Sequence, residues 1–300
     1  MDKKTILKKM KSIKISHLII LLALIVFAVS LLIPLFWMLL VSFKNGDKWD
    51  MAIYDRNLMG VIWIDSFDFH NYLEAYDLFF ITRTVENVNY GSNMPIMFGY
   101  SLMYACGCAL VATLTPCVVA YLCARYDYRF GKVIYTIVLV TIAIPIIGNL
   151  PAEKRMIDSL KLMDSIWALL LLKANFLGIY FLIFYAQFKG IDKDYTSAAE
   201  IDGASEFRIM LQIIFPLAIS TMTAVFLLNF INFWNDYQIP MVYWYNSPVL
   251  AYGLFEFSIQ AHQTPILLAG SLMTALPIII VFAVFNKKVM SNMSMGGIKG

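Results

Sequence analysis

The sequence predicts an all-α, polytopic membrane protein with six transmembrane helices. Three observations carry this prediction. Of the 300 residues, 60% are apolar and only 14% charged, with a mean hydropathy of +0.71; a soluble domain carries roughly a quarter charged residues. Apolar runs of about 20 residues or more recur along the chain, long enough as helices rising 1.5 Å per residue to cross the ~30 Å hydrocarbon layer. Lysine and arginine are unevenly divided between the segments joining those runs. A soluble protein with an oversized core is the alternative, and the surplus apolar surface, which needs lipid, argues against it.

Taken in order, residues 1–16 form a basic N-terminus, with six lysines and one acid in its first 14 positions. The apolar run 17–43 is longer than the core of a cleavable signal peptide and lacks a small-residue cleavage site, so it reads as a retained first span. Residues 44–93 are polar and acidic with frequent aromatics, among them Trp49, Tyr54, Trp63 and Tyr72. That composition suits a small ordered cap, part of it at the bilayer interface where aromatic rings are favoured. Residues 94–290 hold the other five apolar runs, at about 94–124, 131–151, 166–187, 217–243 and 265–286. Residues 291–300 form a tail.

Orientation follows from the positive-inside bias. With residues 1–16 inside, the inner segments collect the N-terminal lysines, Arg125, Arg129, Lys132, Lys189, Lys193, Arg208 and the tail lysines. Both termini and the segment 187–216 are therefore expected in the cytoplasm. A net charge of +3, without a basic face carrying stacking aromatics, excludes nucleic-acid binding. Cys106, Cys108, Cys117 and Cys123 fall in one apolar run and read as buried thiols. No phosphate-cradling GxxxxGK[ST] occurs, the three histidines are scattered, and no hydrolase nucleophile context is present. The expectation is a chain with no catalytic residue, no metal site and no bound cofactor.

Segment 187–216, FKGIDKDYTSAAEIDGASEFRIMLQIIFP with Gln187 before it, gathers charge between two apolar runs. Thr196 or Ser197 can cap a short helix there, with Glu200 as the reciprocal partner. Gly203 permits a backbone geometry closed to other residues, or the close approach of a partner surface. Small residues flanked by charge suit a plug for a groove on another protein, and an ordinary amphipathic connector is the plainer alternative.

The spacing Ser197-Ala198-Ala199, Gly203, then Ile213, Phe215 and Pro216 resembles the EAA loop, E-A-A-x3-G-x9-I-x-L-P, of ATP-binding-cassette (ABC) importer permeases. Ser197 stands where Glu is usual and Phe215 where Leu is usual. Asp164-Ser165-Ile166-Trp167-Ala168-Leu169, Trp234-Asn235-Asp236 and the C-terminal Gly296-Gly297-Ile298-Lys299-Gly300 resemble stretches of the sugar-importing, maltose-type branch. Together the likeness covers roughly residues 95–300. The resemblance implies the type I importer permease fold. It makes 187–216 a coupling loop, with Ser197, Ala198, Ala199, Glu200, Asp202, Gly203, Ala204, Phe207, Arg208 and Pro216 serving contact with an ATPase, and Gly296, Gly297 and Lys299 reaching toward it. It further implies two ABC ATPase subunits that use ATP and Mg, a second homologous permease chain, an extracytoplasmic solute-binding protein, and placement in a bacterial cytoplasmic membrane.

Polar groups inside a bilayer are costly unless they face protein or water. On the fifth run Asn229, Asn232 and Asp236 fall at i, i+3 and i+7, on one helical face, with Asn235 beside them and Trp234 among the neighbouring aromatics. Amide and carboxylate groups beside flat rings suit a hydroxyl-rich sugar; the alternative is that these groups bond neighbouring helices. Lys173 either snorkels to the interface or faces the path, where it would favour an anionic sugar or pair with Asp236. The resulting expectation is ATP-driven, alternating-access import of a sugar or oligosaccharide. A peptide or polyamine cargo is the alternative within the family, and an independent channel or intramembrane enzyme the alternative outside it.

Overall fold

The computed structural model describes residues 15–63, 67–85, 88–126, 128–144, 148–261 and 263–293. The chain divides into two compact units, residues 1–78 with 258–273 and residues 79–257 with 274–300.

In the first unit, helix α1 (Ile15–Ser42) is apolar on every side and its side chains are exposed along nearly its whole length. That surface must be covered by lipid or by another chain. Three short helices follow, α2 (Gly46–Tyr54), α3 (Leu58–Ile62) and α4 (His70–Leu78). They are fastened to the end of α1. Asn71 donates to the Ser42 and Lys44 carbonyls at 2.9 and 2.7 Å, and the Tyr72 hydroxyl pairs with Ser42 Oγ at 2.7 Å. Lys44 is only 5% exposed. Its ammonium donates to the Gly60 and Val61 carbonyls at 2.6 Å each, in the last turn of α3, where helix carbonyls need partners from outside the helix. The Phe43 ring packs on Phe67, Phe69 and Tyr72.

The second unit begins with an antiparallel hairpin, β1 (Phe80–Val85) and β2 (Val88–Asn93), in the register Phe80↔Asn93 to Val85↔Val88. This hairpin is a small departure from the all-helical expectation. Asn93 then caps helix α5 (Met94–Arg125), its Oδ1 accepting from the Ile96 amide. Next come α6 (Arg129–Ala143), α7 (Leu150–Ser159), α8 (Ile166–Lys173), α9 (Ile179–Lys189), α10 (Asp194–Ile201) and α11 (Glu206–Ile209). A π-helical turn at Met210–Ile214 leads into α12 (Phe215–Trp234), followed by α13 (Gln238–Tyr243), α14 (Leu250–Gln260) and α15 (Thr264–Met293), the last two crossing into the first unit's residues. α5 packs most extensively against α12 and α9. Between them lies an aromatic-rich core of Tyr121, Phe181, Phe184, Phe188, Ile209 and Ile214. Cys108, Cys117 and Cys123 are buried and Cys106 is half-buried.

Among the described residues, four helices are long and apolar enough to cross a membrane: His17–Ser42, Met94–Arg125, Glu206–Trp234 and Thr264–Val281. Runs 131–151 and 166–187 give shorter helices, and run 217–243 ends its long helix early. Run 131–151 becomes the 15-residue α6, and the polar stretch after it contributes to helix α7. Run 166–187 divides into α8 and α9. The break falls where Asn175 Oδ1 takes the Leu177 amide and Gly178 adopts φ +155, a conformation that favours glycine. Run 217–243 ends its long helix at Trp234, because the Asp236 carboxylate turns to accept the Ile239 amide and starts α13.

Candidate functional site

The segment between α9 and α12 stands out by its exposure. α10 starts at Asp194, with the Asp192 carboxylate accepting the Asp194 amide at 3.2 Å and Lys193 at the cap position. The expected capping by Thr196 or Ser197 is therefore corrected. Both lie inside α10, and their amides bond the Lys193 carbonyl.

The helix stops at Gly203, which has φ +78. The Ala204 amide reaches back to the Ala199 carbonyl and the Gly203 amide to the Glu200 carbonyl, at 3.0 Å each. These are the two bonds of a Schellman stop, and its usual apolar contact is made by Ala199 and Ala204, both packed into the core. A Cβ at Gly203 would meet open space, so glycine is needed there for the backbone angle rather than for closeness to anything in this chain.

Of the expected contact residues, Ser197, Ala198, Glu200, Asp202, Gly203, Phe207, Arg208 and Pro216 are exposed, Ala204 is half-buried, and Ala199 is buried against its own chain. Ala199 is thus corrected from an outward contact to an inward anchor. The expectation did not include two of the most prominent apolar groups, Ile201 at 86% exposure and Tyr195, which stand with Phe207 at 67% outside the packed core. An alternating apolar–polar pattern marks them only weakly.

Sequence reasoning also missed what holds the segment. Arg125, the last residue of α5, donates from Nη1 to the Ile191 carbonyl at 3.0 Å and from Nη2 to the Asp192 carbonyl at 3.3 Å. The next residue, Tyr126, donates its hydroxyl to Glu206. Burial, then the hydrogen bond to Glu206, push the Tyr126 hydroxyl above its usual range, so it stays a neutral donor. One end of α5 therefore grips both the start and the exit of the segment. Downstream, Pro216 has no amide to give to a carbonyl four residues back, and the turn before it widens so that the Phe215 amide reaches the Met210 carbonyl. Apart from this turn, α11 and α12 form one continuous helix into the apolar layer.

The polar group on α12 divides by environment. Asn229 is 5% exposed and donates to Thr113 Oγ1 on α5 at 3.3 Å, an interhelical bond. Asn232 and Asn235 are exposed, and the Asn235 amide group bonds back to the Ile231 carbonyl. Trp234 is buried between Phe98 and Phe230. Asp236 accepts the Tyr104 hydroxyl at 2.8 Å. The Lys173 ammonium lies 5.1 Å above the centre of the Phe233 ring, and it sits there rather than on the Asp236 carboxylate. Asp236, Phe233, Lys173 and Tyr104 are thus brought into one neighbourhood at the end of α12. Gly296, Gly297 and Lys299 lie outside the described residues.

The exposed segment is held by hydrogen bonds to the end of one long apolar helix and is continuous with another, whose far end carries the polar group. The sequence matches the family described as the binding-protein-dependent transport system inner membrane component over residues 116–289, more than half of the chain. The arabinooligosaccharides transport system permease protein AraQ of Halalkalibacterium halodurans is 30% identical over 208 residues, covering 68% of this chain and 74% of that protein. The melibiose/raffinose/stachyose import permease protein MelC of Bacillus subtilis is 25% identical over 297 residues, covering 96% of this chain and 98% of its own. A chain of a crystallised bacterial ABC transporter involved in import of the acidic polysaccharide alginate superposes with a TM-score of 0.69, at 20% identity, over 91% of this chain and 96% of that one; the likeness establishes the fold. The chain belongs to the binding-protein-dependent transport system inner membrane component family. It is the multi-pass permease part of such a transporter.

Proposed function

We propose that this chain is one of two homologous permease subunits of an ATP-driven importer for oligosaccharides. Residues 194–208 dock on one of two ABC ATPase subunits, and an external solute-binding protein delivers the sugar. The observation that supports this most is the pairing of an exposed apolar–charged surface, Ile201, Phe207 and Arg208, with the grip of Arg125 and Tyr126 on both ends of the same segment. A surface that another protein moves must be rigidly joined to the helices it drives. Here the joints are α5, by hydrogen bonds, and α12, by continuity.

In this reading ATP and Mg belong to the ATPases, both termini and the 187–216 segment face the cytoplasm, and the path runs beside Asn232, Asp236, Phe233 and Lys173. Asn229 contributes to the wall through its bond to Thr113 rather than by reaching the cargo. The sugar cargo is drawn from the relatives, whose names concern arabinooligosaccharides and melibiose, raffinose and stachyose. The exposed amides of Asn232 and Asn235 near the Phe233 ring offer edge hydrogen bonds and a flat apolar face, the two contacts a sugar ring needs. The test is transport by the complex purified from its own membranes and reconstituted in liposomes with its external binding protein. ATP inside should drive accumulation of an oligosaccharide such as raffinose or arabinotriose. Accumulation of a peptide or polyamine, with no sugar moved, would overturn the cargo, and passive flux without ATP would overturn the importer.

A further inference from the structure

At the end of α5 a cavity of about 320 Å³ is lined by Arg125, Lys132, Lys189 and Lys193 together with Tyr126 and Tyr185, and no carboxylate appears among its described lining residues. Four cations drawn from three helices and the start of the coupling segment repel one another in a space that small. Among the described residues they are only partly engaged. Lys189 shares a 3.3 Å bond and a ring contact with Tyr185. Arg125 spends Nη1 and Nη2 on two backbone carbonyls, and its Nε is buried with no hydrogen-bond partner among the described residues. A buried N–H donor left unmet is unusual and costs on the order of 1–3 kcal/mol; an anionic acceptor in the cavity is what this set lacks.

A second cavity, an open groove of about 410 Å³, begins at the same Lys132 and runs along α6 past Val133, Thr136, Ile137, Val140 and Thr141. Residues 132, 136 and 140 and residues 133, 137 and 141 are two i,i+4 rows, and the groove is the furrow between them. Its wall is apolar in effect, because Thr136 and Thr141 turn their hydroxyls back to the Lys132 and Ile137 carbonyls at 2.9 and 2.8 Å. From Lys132 to Thr141 the helix rises about 14 Å, close to one leaflet of the ~30 Å layer.

We propose that these two cavities form one binding site for an anionic phospholipid of the phosphatidylglycerol kind, with its phosphodiester among Arg125, Lys132, Lys189 and Lys193 and an acyl chain in the α6 furrow. A basic pocket continuous through Lys132 with an apolar furrow one leaflet long matches both halves of such a molecule, whereas a free phosphate uses only the first. Arg125 also holds the Ile191 and Asp192 carbonyls, and Lys193 caps α10. The headgroup therefore stiffens the joint between α5, α6, α9 and the coupling segment. The site rests on the membrane placement of the chain and is independent of its cargo.

The test is native mass spectrometry of the full chain, purified with the subunits that accompany it, after exchange against nanodiscs of phosphatidylglycerol and phosphatidylcholine. Wild type is expected to retain phosphatidylglycerol preferentially, and Lys132→Gln and Lys189→Gln each to weaken retention about fivefold, near one lysine's share of attraction to an anionic surface. Lys132→Arg should restore it, separating lost charge from lost fold. Equal retention of the two lipids, unchanged retention in both glutamine variants, or displacement by equimolar inorganic phosphate or glycerol 3-phosphate overturns the site. Retention with no ATP-driven transport would instead strike the proposed function and leave the site standing.

Discussion

The Tyr126 hydroxyl donates to Glu206, a residue 80 positions later, and ties the end of α5 to the start of α11. With the Arg125 bond to the Ile191 carbonyl, this makes α5 the helix that feels any displacement of the segment between them. Tyr126→Phe removes the donor without removing the ring. It is expected to lower the sugar moved per ATP hydrolysed roughly fivefold, in line with about 1 kcal/mol for one partly exposed hydrogen bond to a charged group. Glu206→Gln keeps an acceptor oxygen and should stay within about twofold of wild type, and the Tyr126→Phe/Glu206→Gln double variant should be no worse than Tyr126→Phe alone. Simultaneous measurement of uptake and phosphate release in liposomes checks all three.

Gly203 sits at φ +78 with open space around its missing side chain. A β-branched residue there costs about 1–2 kcal/mol of left-handed strain, so Gly203→Val is expected to loosen the end of α10 and reduce uptake about tenfold or more. Gly203→Asn, which tolerates that conformation, should lose far less. Equal losses for the two variants would mean that bulk at a partner surface, not backbone angle, sets the requirement. Limited proteolysis of 194–208 reports the loosening independently.

Asn229 and Asn232 are three residues apart on α12 and make opposite predictions. Asn229→Ala breaks the bond to Thr113 Oγ1 and is expected to cost about 0.6 kcal/mol of thermal stability, an average for interhelical bonds in membranes, with Thr113→Val costing the same and the pair not adding. Asn232→Ala leaves stability unchanged and raises the sugar concentration needed for half-maximal uptake. Thermal unfolding in detergent, set beside uptake kinetics, separates the two.

Much of this was legible in the sequence because membrane folding imposes coarse rules. Long apolar runs had to be helices, and α1, α5, the 206–234 helix and α15 emerge where the runs at 17–43, 94–124, 217–243 and 265–286 lie. The breaks were not legible. Asn175 and Gly178 interrupt 166–187, and Asp236 ends α12, through local side-chain bonds that hydropathy averages away. The segment 187–216 was visible as a motif, while the side chains that hold it were not. Arg125 and Tyr126 lie far from it in sequence, and an arginine at the end of a span reads as an ordinary interfacial charge. Ala199 was misplaced for a related reason: a motif gives spacing, and only the packed helix tells which alanine faces inward.

The widened turn before Pro216 carries the segment into α12. Pro216→Ala restores the missing amide, so the turn can tighten toward α-helix. Stability is expected to rise, by up to about 3 kcal/mol if the whole helix-interior penalty of proline is relieved, while coupled uptake falls several-fold because the segment's direction relative to α12 changes. A rise in Tm together with a fall in sugar moved per ATP is the expected pair of readings.

The most direct measurement is capture of the nucleotide-hydrolysing subunits by this chain when the exposed surface of 194–208 is charged. Ile201→Asp combined with Phe207→Asp touches side chains that lie outside the core, so membrane insertion should be preserved. The expected result is at least tenfold less ATPase co-purified and no ATP-driven sugar uptake. Undiminished capture and uptake by that variant would contradict docking at this segment.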